Sequence, residues 1–385
     1  VRVLVAPDSF TGTLTAPQAA SAIAEGWLRT SPADEVHCAP LSDGGPGFVS
    51  VLHASLGGQL IEVSVTGPMG TPVQAQLLMV DVDHTPMAYI ESAQACGLHL
   101  VPAGERDPRR TTTAGVGELL VRAVELGARK IVLGLGGTGT NDAGAGCWHA
   151  LGVTAVDDEG VDCTAALRQG GGALSRIRSV DLSPAIRALG GVEVVIASDV
   201  DNPLLGLRGA TNGYARQKGA DDQAVMELEG ALESFVAAVG RRPDGKDPAV
   251  ALGAGAAGGL GYGLMCLNAS RVPGIATVLA TVGLDRLISQ ADVVVTGEGS
   301  FDWQSLRGKV VSGVAGAALE QGRPCVVLAG QVQVGRREYS ASGVTAAFSV
   351  VEHLTERGID PQRAFDDPVG SLSSLAARAA QTWGS

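Results

Sequence analysis

Residues 131–146 read IVLGLGGTGTNDAGAG, a β-branched run that empties into six glycines within thirteen residues, with Thr140, Asn141 and Asp142 set among them. Glycine at this density is costly, because each one surrenders more backbone freedom on folding than any other residue. Something therefore needs the backbone itself to come close. A strand that runs through a glycine loop into a helix is the repeating unit of a parallel α/β sheet. Such a loop suits anions, because backbone N–H groups point outward and the helix start adds partial positive charge. The pattern recurs along the chain. VRVLVAPDSF reaches Asp8, EVHCAPLSDGG reaches Asp43 and VEVVIASDVDN reaches Asp199, while DVVVTGEGSFD carries Glu298 and Asp302. Alanine-rich stretches with helical spacing follow most of them, as in 16–29 with Ala19, Ala20, Ile23, Ala24, Trp27 and Leu28. Ligands of such sheets bind outside the carboxyl ends of the strands, where these acids fall.

The composition agrees. Only 4% of the 385 residues are aromatic while 54 are glycine, so the core must be built from Val, Leu, Ile and Ala, the material of helix-covered parallel sheets. No apolar run approaches the ~18 residues of a membrane span, and VRVLVAPDSF is too short for a signal-peptide core. These features predict a cytoplasmic protein with no membrane partner. The formal net charge of −12 disfavours nucleic acid, which calls for a basic face. Cysteines 38, 96, 147, 163, 266 and 325 lie far apart without a C-x-x-C pair, and the six histidines are scattered. Free, mostly buried thiols are expected rather than disulfides or zinc. Only four of the 28 basic residues are lysine (Lys130, Lys218, Lys246 and Lys309), so a lysine beside a loop glycine is a candidate for function.

Residues 59–100 break the pattern. QLIEVSVTGPMGTPVQAQLLMV alternates and turns at Gly-Pro-Met-Gly, as an antiparallel hairpin does. The α/β style of the first residues returns after about 288. The expected organisation is a discontinuous flavodoxin-like domain, 1–57 and 289–385, with a second α/β domain, 58–288, inserted into it and an active cleft between them. Residues 240–248, GRRPDGKDP, read as an exposed loop.

Two function classes compete for the glycine loops. Gly134, Gly136 and Gly139 match G-x-G-x-x-G, with Asp157 and Asp158 about twenty residues on, the fingerprint of a dinucleotide-dependent oxidoreductase. A second match, at Gly253, Gly255 and Gly258, shows how readily a glycine-rich chain produces one. The strand-end acids favour phosphoryl transfer, which needs carboxylates for Mg²⁺, a base near the acceptor hydroxyl and donors for the phosphates. Lys309, after Gly308, and Lys218, before Gly219, are phosphate donors of the point-charge kind. The chain carries no Walker P-loop, no kinase H-R-D or D-F-G set and no G-x-S-x-G elbow.

The segments APDSFTGTLTA, SDGGPG, GPMG, IESAQACGL, RDPRRTTTAGVGELL, GGTGTNDAGAG, SDVDNPLLG, QKGA, GAGAAGGLG and VTGEGSFDWQSLRGK occur in the order found in bacterial two-domain glycerate kinases. The chain resembles that family from residue 3 to about 350. The resemblance implies a flavodoxin-like domain with an inserted second domain, and transfer of phosphate from ATP, with Mg²⁺, to glycerate at its 2-hydroxyl. It implies Asp43, Asp199 and Lys309 as catalytic groups, with Asp43 or Asp199 as base or metal ligand and Lys309 or Lys218 as phosphate donor. Asp8, Ser9, Gly44, Gly45, Thr140, Asn141, Asp142, Asn202, Lys218, Gly255 and Gly258 would bind substrate or phosphates, and Glu298 and Asp302 the metal. A homodimer is compatible with it. The chain departs from the family at Thr11, where lysine is usual, at Pro46, where glutamate is usual, and at Arg216, where proline is usual. The paired loss of a cation and an anion reads either as a compensated swap or as a different hydroxy-acid substrate.

Overall fold

The computed structural model describes residues 1–10, 12–306 and 309–385. Among these, thirteen strands follow one another: β1 (Arg2–Val5), β2 (Glu35–Cys38), β3 (Gln59–Thr66), β4 (Pro72–Val82), β5 (Thr85–Glu91), β6 (Lys130–Gly134), β7 (Thr154–Val156), β8 (Ser179–Asp181), β9 (Glu193–Ala197), β10 (Ser270–Val272), β11 (Val293–Phe301), β12 (Cys325–Val332) and β13 (Ala346–Ser349). The chain divides into two compact units. The first takes Val1–Asp43, Ser50–Leu56 and Gly274–Ser385, and the second takes Gly44–Val49 and Gly57–Pro273. Residues 274–288, expected with the middle segment, are thus counted with the first unit.

The first unit holds a five-stranded sheet in the order β13-β12-β11-β1-β2, with every pairing parallel. Renumbered along this unit, the order is 2-1-3-4-5, that of the flavodoxin-like folds. Val3, Val5, Val293, Val295, Val326 and Leu328 are fully buried in one cluster, at roughly 1.5–3 kcal/mol for each aliphatic side chain removed from water. The helix Ala16–Thr30 covers this core. It starts at a capping box between Thr15 and Gln18, which satisfies orphan N–H groups at its first turn. Ala19, Ala20, Ile23 and Trp27 face inward, as their spacing predicts, while Leu28 is exposed.

The second unit holds a six-stranded mixed sheet in the order β10-β9-β6-β5-β4-β3. β3, β4 and β5 form the antiparallel meander that the Gly-Pro-Met-Gly turn predicts. From β5 onward the pairing is parallel through β6, β9 and β10. A small antiparallel pair, β7 with β8, stands apart. The carboxyl ends of β5, β6 and β9 therefore lie side by side. Their loops carry Glu91, the glycine stretch after Gly134, and Ser198 with Asp199. Residues 240–248 are largely exposed, and all six cysteines are free thiols, five of them buried.

Candidate active site

In the first unit the strand order reverses between β1 and β11, the position at which doubly wound sheets bind their ligands. β1 ends at Val5, opposite Val295, and β11 continues to Phe301 alongside β12 alone. Glu298 is therefore not at a strand end, as its sequence context predicts, but inside β11 where the β1 side lies open. Asp8 follows β1, its backbone N–H donating to the Gly297 carbonyl at 2.8 Å. Its carboxylate accepts the Ser9 N–H at 2.6 Å. Burial lifts the Asp8 carboxyl to about 7; repulsion from Asp43 and then Glu298 adds to this, and the Ser9 N–H and Lys309 oppose it. Glu298 is also lifted to about 7, first by burial, with Asp302 and Asp43 adding and Ser305 and Lys309 opposing. Its Oε1 is buried without a hydrogen-bond partner. Asp302 is tied into a turn, its Oδ1 accepting the N–H groups of Gln304 at 2.7 Å and Ser305 at 3.3 Å. Lys309 stands at the N-cap position of the helix Val310–Glu320. Four expected residues (Asp8, Asp43, Glu298 and Lys309) thus share one electrostatic neighbourhood.

In the second unit the glycine stretch shows what its bare backbone approaches. It is other backbone. A Cβ on Gly136 would lie 2.5 Å from Gly45 Cα, and one on Gly258 would overlap the Thr140 carbonyl oxygen. Gly258 also has a φ of +66°, a region that L side chains rarely adopt. A Cβ on Gly255 would meet the Pro203 carbonyl in the same way. The loops at 44–45, 134–146, 202–204 and 253–263 are interlocked. Thr140, Asn141 and Asp142 are completely buried within them. Asp142 accepts from the Thr113 N–H at 2.8 Å, the Thr113 hydroxyl at 2.9 Å, and the N–H groups of Gly144 at 3.1 Å and Gly146 at 3.2 Å. Burial still raises its pKa against these bonds. Lys218, expected at phosphate, is 3% exposed and donates to the Thr140 carbonyl at 2.7 Å. Burial lowers it to about 8, against the pull of Cys96 and Asp142.

Asn141 donates to the Thr211 hydroxyl at 3.0 Å, while its buried Oδ1 accepts nothing. Asn202 is engaged at both ends, donating to the Arg208 carbonyl at 2.6 Å and accepting from the Tyr214 hydroxyl at 2.9 Å. Asp199 is exposed just beyond β9. Sequence reasoning passed over Glu91, a buried carboxylate at the end of β5. Burial raises its pKa against hydrogen bonds from the backbone of Gly47, Val49 and Phe48 and from Gln94. The signal was present in IESAQACGL, a strand that ends in an acid like the others. Thr11 lies outside the described residues. Pro46 is exposed, and Arg216 is exposed and ion-paired with Asp222 at 2.8 Å.

The dinucleotide reading of Gly134, Gly136 and Gly139 does not survive this geometry. The stretch passes through three buried polar residues before a six-residue helix, Ala145–Ala150. Asp157 lies after β7 of the small antiparallel pair, its carboxylate holding a turn through Glu159 and Val161 N–H groups. Asp157 and Asp158 are thereby kept away from the end of any strand paired in parallel with β6, where the fingerprint's ribose-binding acid would stand. Among the described residues no three His, Cys, Asp or Glu side chains gather as a metal cage. Mg²⁺ asks for less, one or two carboxylates completed by substrate phosphates and water. The unpartnered buried oxygen of Glu298, beside Asp8, fits that demand.

The model of the glycerate kinase family matches residues 3–384. A glycerate kinase of Halalkalibacterium halodurans is 40% identical over 353 residues, 91% of each chain. The glycerate 2-kinase of Escherichia coli K12 is 36% identical over 380 residues, 98% of this chain and 97% of its own. A crystal structure from Salmonella typhimurium LT2, assigned as a glycerate kinase 2, superimposes with a TM-score of 0.80 at 33% identity, covering 100% of this chain and 98% of that one.

Proposed function

The chain belongs to the glycerate kinase family, and on that premise we propose that it transfers the γ-phosphoryl group of ATP to the 2-hydroxyl of glycerate. Phosphorylation of glycerate by ATP follows from the family. The choice of hydroxyl, the divalent cation and the residue roles are this reading's own. The observation that carries the roles is the carboxylate group at the strand-order reversal, Asp8 and Glu298 both lifted to about 7 with Lys309 acting on each.

In the reaction the hydroxyl oxygen of glycerate bonds to the γ-phosphorus, the bond from that phosphorus to the ADP oxygen breaks, and the hydroxyl proton leaves. A base works best when its pKa lies near the working pH. Asp8 meets that condition, and Asp43 helps to set it, so the Asp8–Asp43 pair is the proton acceptor of choice. Asp199 stands as the acid of the second unit for the same task. Lys309 offsets charge on the transferring phosphoryl group. Glu298, with Asp302 near it, would hold Mg²⁺, which when bound neutralises phosphate charge. The interlocked loops of the second unit, braced by Asp142 and Lys218, hold Asn141, whose unpartnered Oδ1 suits a hydroxyl donor. A buried acceptor left alone is unfavourable by about 1–3 kcal/mol, which a substrate hydroxyl would relieve. Asn202, Thr140 and the glycines 44, 45, 255 and 258 shape these loops, while Ser9 holds the Asp8 carboxylate through its N–H. A cytoplasmic enzyme acting on a small molecule, with a homodimer as its assembly, completes the reading.

The test is ATP consumption against a panel of hydroxy acids, with ¹³C and ³¹P spectra of the product. The expected outcome is glycerate-dependent ADP formation with phosphorus coupled to C2. Coupling to C3 would move the reaction to the other hydroxyl. Absence of glycerate-dependent ADP formation, with turnover of another acid, would transfer the enzyme to that substrate.

A further inference from the structure

The second unit contains a cavity of about 400 Å³ that none of the candidate active-site residues lines. Its walls include Arg110, Arg168, His149, Thr112 and Ala114. In a chain with net charge −12 this is a local reversal of sign. Neighbouring charges offset it only in part. Arg109, the adjacent arginine, occupies both carboxylate oxygens of Asp107 and reaches Glu227 at 2.9 Å. Arg110 and Arg168 make no ion pair and no side-chain hydrogen bond among the described residues. The one acid in the wall, Glu118, is held by the Thr66 N–H and the Thr66 hydroxyl, both at 2.7 Å, and its charge offsets one of the two arginines, leaving a net positive wall.

The twelve-residue helix Ala114–Glu125 begins at this cavity, and its N-cap residue, Thr113, makes no side-chain capping bond. The Thr113 hydroxyl is committed to Asp142 instead, at 2.9 Å. The Ala114 N–H is taken by the Thr112 hydroxyl at 3.3 Å, so what the helix start offers the cavity is its dipole, partly offset by Asp142. His149, half-buried in the wall, has its pKa lowered by burial and then by Arg168, so the field of the arginine reaches across the cavity. Two guanidinium forks, an imidazole and a helix start are recurring elements of phosphate recognition, and the volume is that of a small-molecule site.

We propose that this cavity is an anion site for a small phosphorylated acid, of the chemical class that the kinase reaction produces, with the phosphate between Arg110 and Arg168 at the start of the helix. The match to the product rests on the glycerate kinase reading. The binding itself does not, and it is tested without catalysis.

Isothermal titration calorimetry on the full chain, without nucleotide or metal, measures binding of inorganic phosphate and of 2-phosphoglycerate. Four proteins are compared: wild type, Arg110→Gln, Arg168→Gln and the surface control Lys246→Ala. Each arginine variant is expected to bind about tenfold or more weakly, the scale of a lost charge-assisted hydrogen bond, while Lys246→Ala binds as wild type does. Charge-conserving controls are supplied by Arg110→Lys and Arg168→Lys, which keep the charge but lose the planar fork, and are expected to fall between. Both arginines are surface-exposed, so unchanged melting temperatures should accompany the loss. Absence of binding to wild type, or equal affinities in wild type and both glutamine variants, would overturn the proposal. ADP formation by the same preparations, scored separately, keeps failure of this site distinct from failure of the kinase reading.

Discussion

Asp8 shows how a single residue acquires its chemistry from position. As an isolated side chain it titrates near 3.9, and in place it titrates at about 7 because burial and then Asp43 disfavour its charge. The native state therefore holds a proton on it that the unfolded state has released. Stability from this group is fully present below the unfolded value and is lost as pH rises toward about 7. Asp8→Asn removes that loss. Its melting temperature is expected to exceed that of wild type at pH 8, by about 2–4 °C for each kcal/mol relieved, with the gap closing by about pH 4. A thermal unfolding series across pH checks this, and a gap that widens toward acid would contradict the assigned environment. Lys309 belongs to the same scale. Its loss in Lys309→Ala removes a charge-assisted contact of about 1.5–3 kcal/mol, or roughly 10–150-fold in rate when the contact forms mainly in the transition state. Steady-state kinetics should show kcat falling by more than the KM for glycerate rises; an unchanged kcat would leave Lys309 without a role in transfer.

At the scale of elements, the loops after β6 and around 253–263 stabilise one another through backbone that glycine alone leaves accessible. Gly258→Ala forces a Cβ onto the Thr140 carbonyl at a φ of +66°. It should lower stability by about 1–3 kcal/mol or more and weaken glycerate turnover with it. Gly316→Ala is the matched contrast. It lies in the helix Val310–Glu320 with nothing within 4 Å of its added methyl group, and should stabilise by about 0.4–1 kcal/mol. Chemical denaturation of the two variants separates crowding from backbone entropy. The same element explains why so much of the opening motif is buried. Asp142 serves four donors inside it, and Lys218 braces the Thr140 carbonyl. A buried carboxylate and a buried ammonium are tolerated there because their hydrogen bonds compensate lost water.

At the scale of the whole molecule, turnover is expected to depend strictly on a divalent cation, Mg²⁺ by preference, since the carboxylates of the first unit match its taste for oxygen ligands. ADP release measured with excess chelator should fall to background and recover when Mg²⁺ is restored. Undiminished turnover in chelator would remove the metal from the reaction.

The amino-acid sequence alone determined the strand–loop–helix rhythm, the Gly-Pro-Met-Gly hairpin, the free thiols and the identity of the acids worth following. Each is a signal carried by neighbouring residues: β-branched runs, glycine turns, alternation, and spacing between cysteines. Only the tertiary structure decided which acids share one electrostatic neighbourhood. Asp8 and Glu298 belong to opposite ends of the chain, and they meet because β1 pairs with β11 on one side and β2 on the other. Strand order is a non-local pairing that no window of sequence contains. The meaning of the glycines was settled in the same way. Their density said that backbone approaches something, and the fold supplied the partner, another glycine loop more than a hundred residues away. Burial, and with it the raised carboxyls and the lowered Lys218, follows from that packing, because desolvation depends on what surrounds a side chain and not on what precedes it.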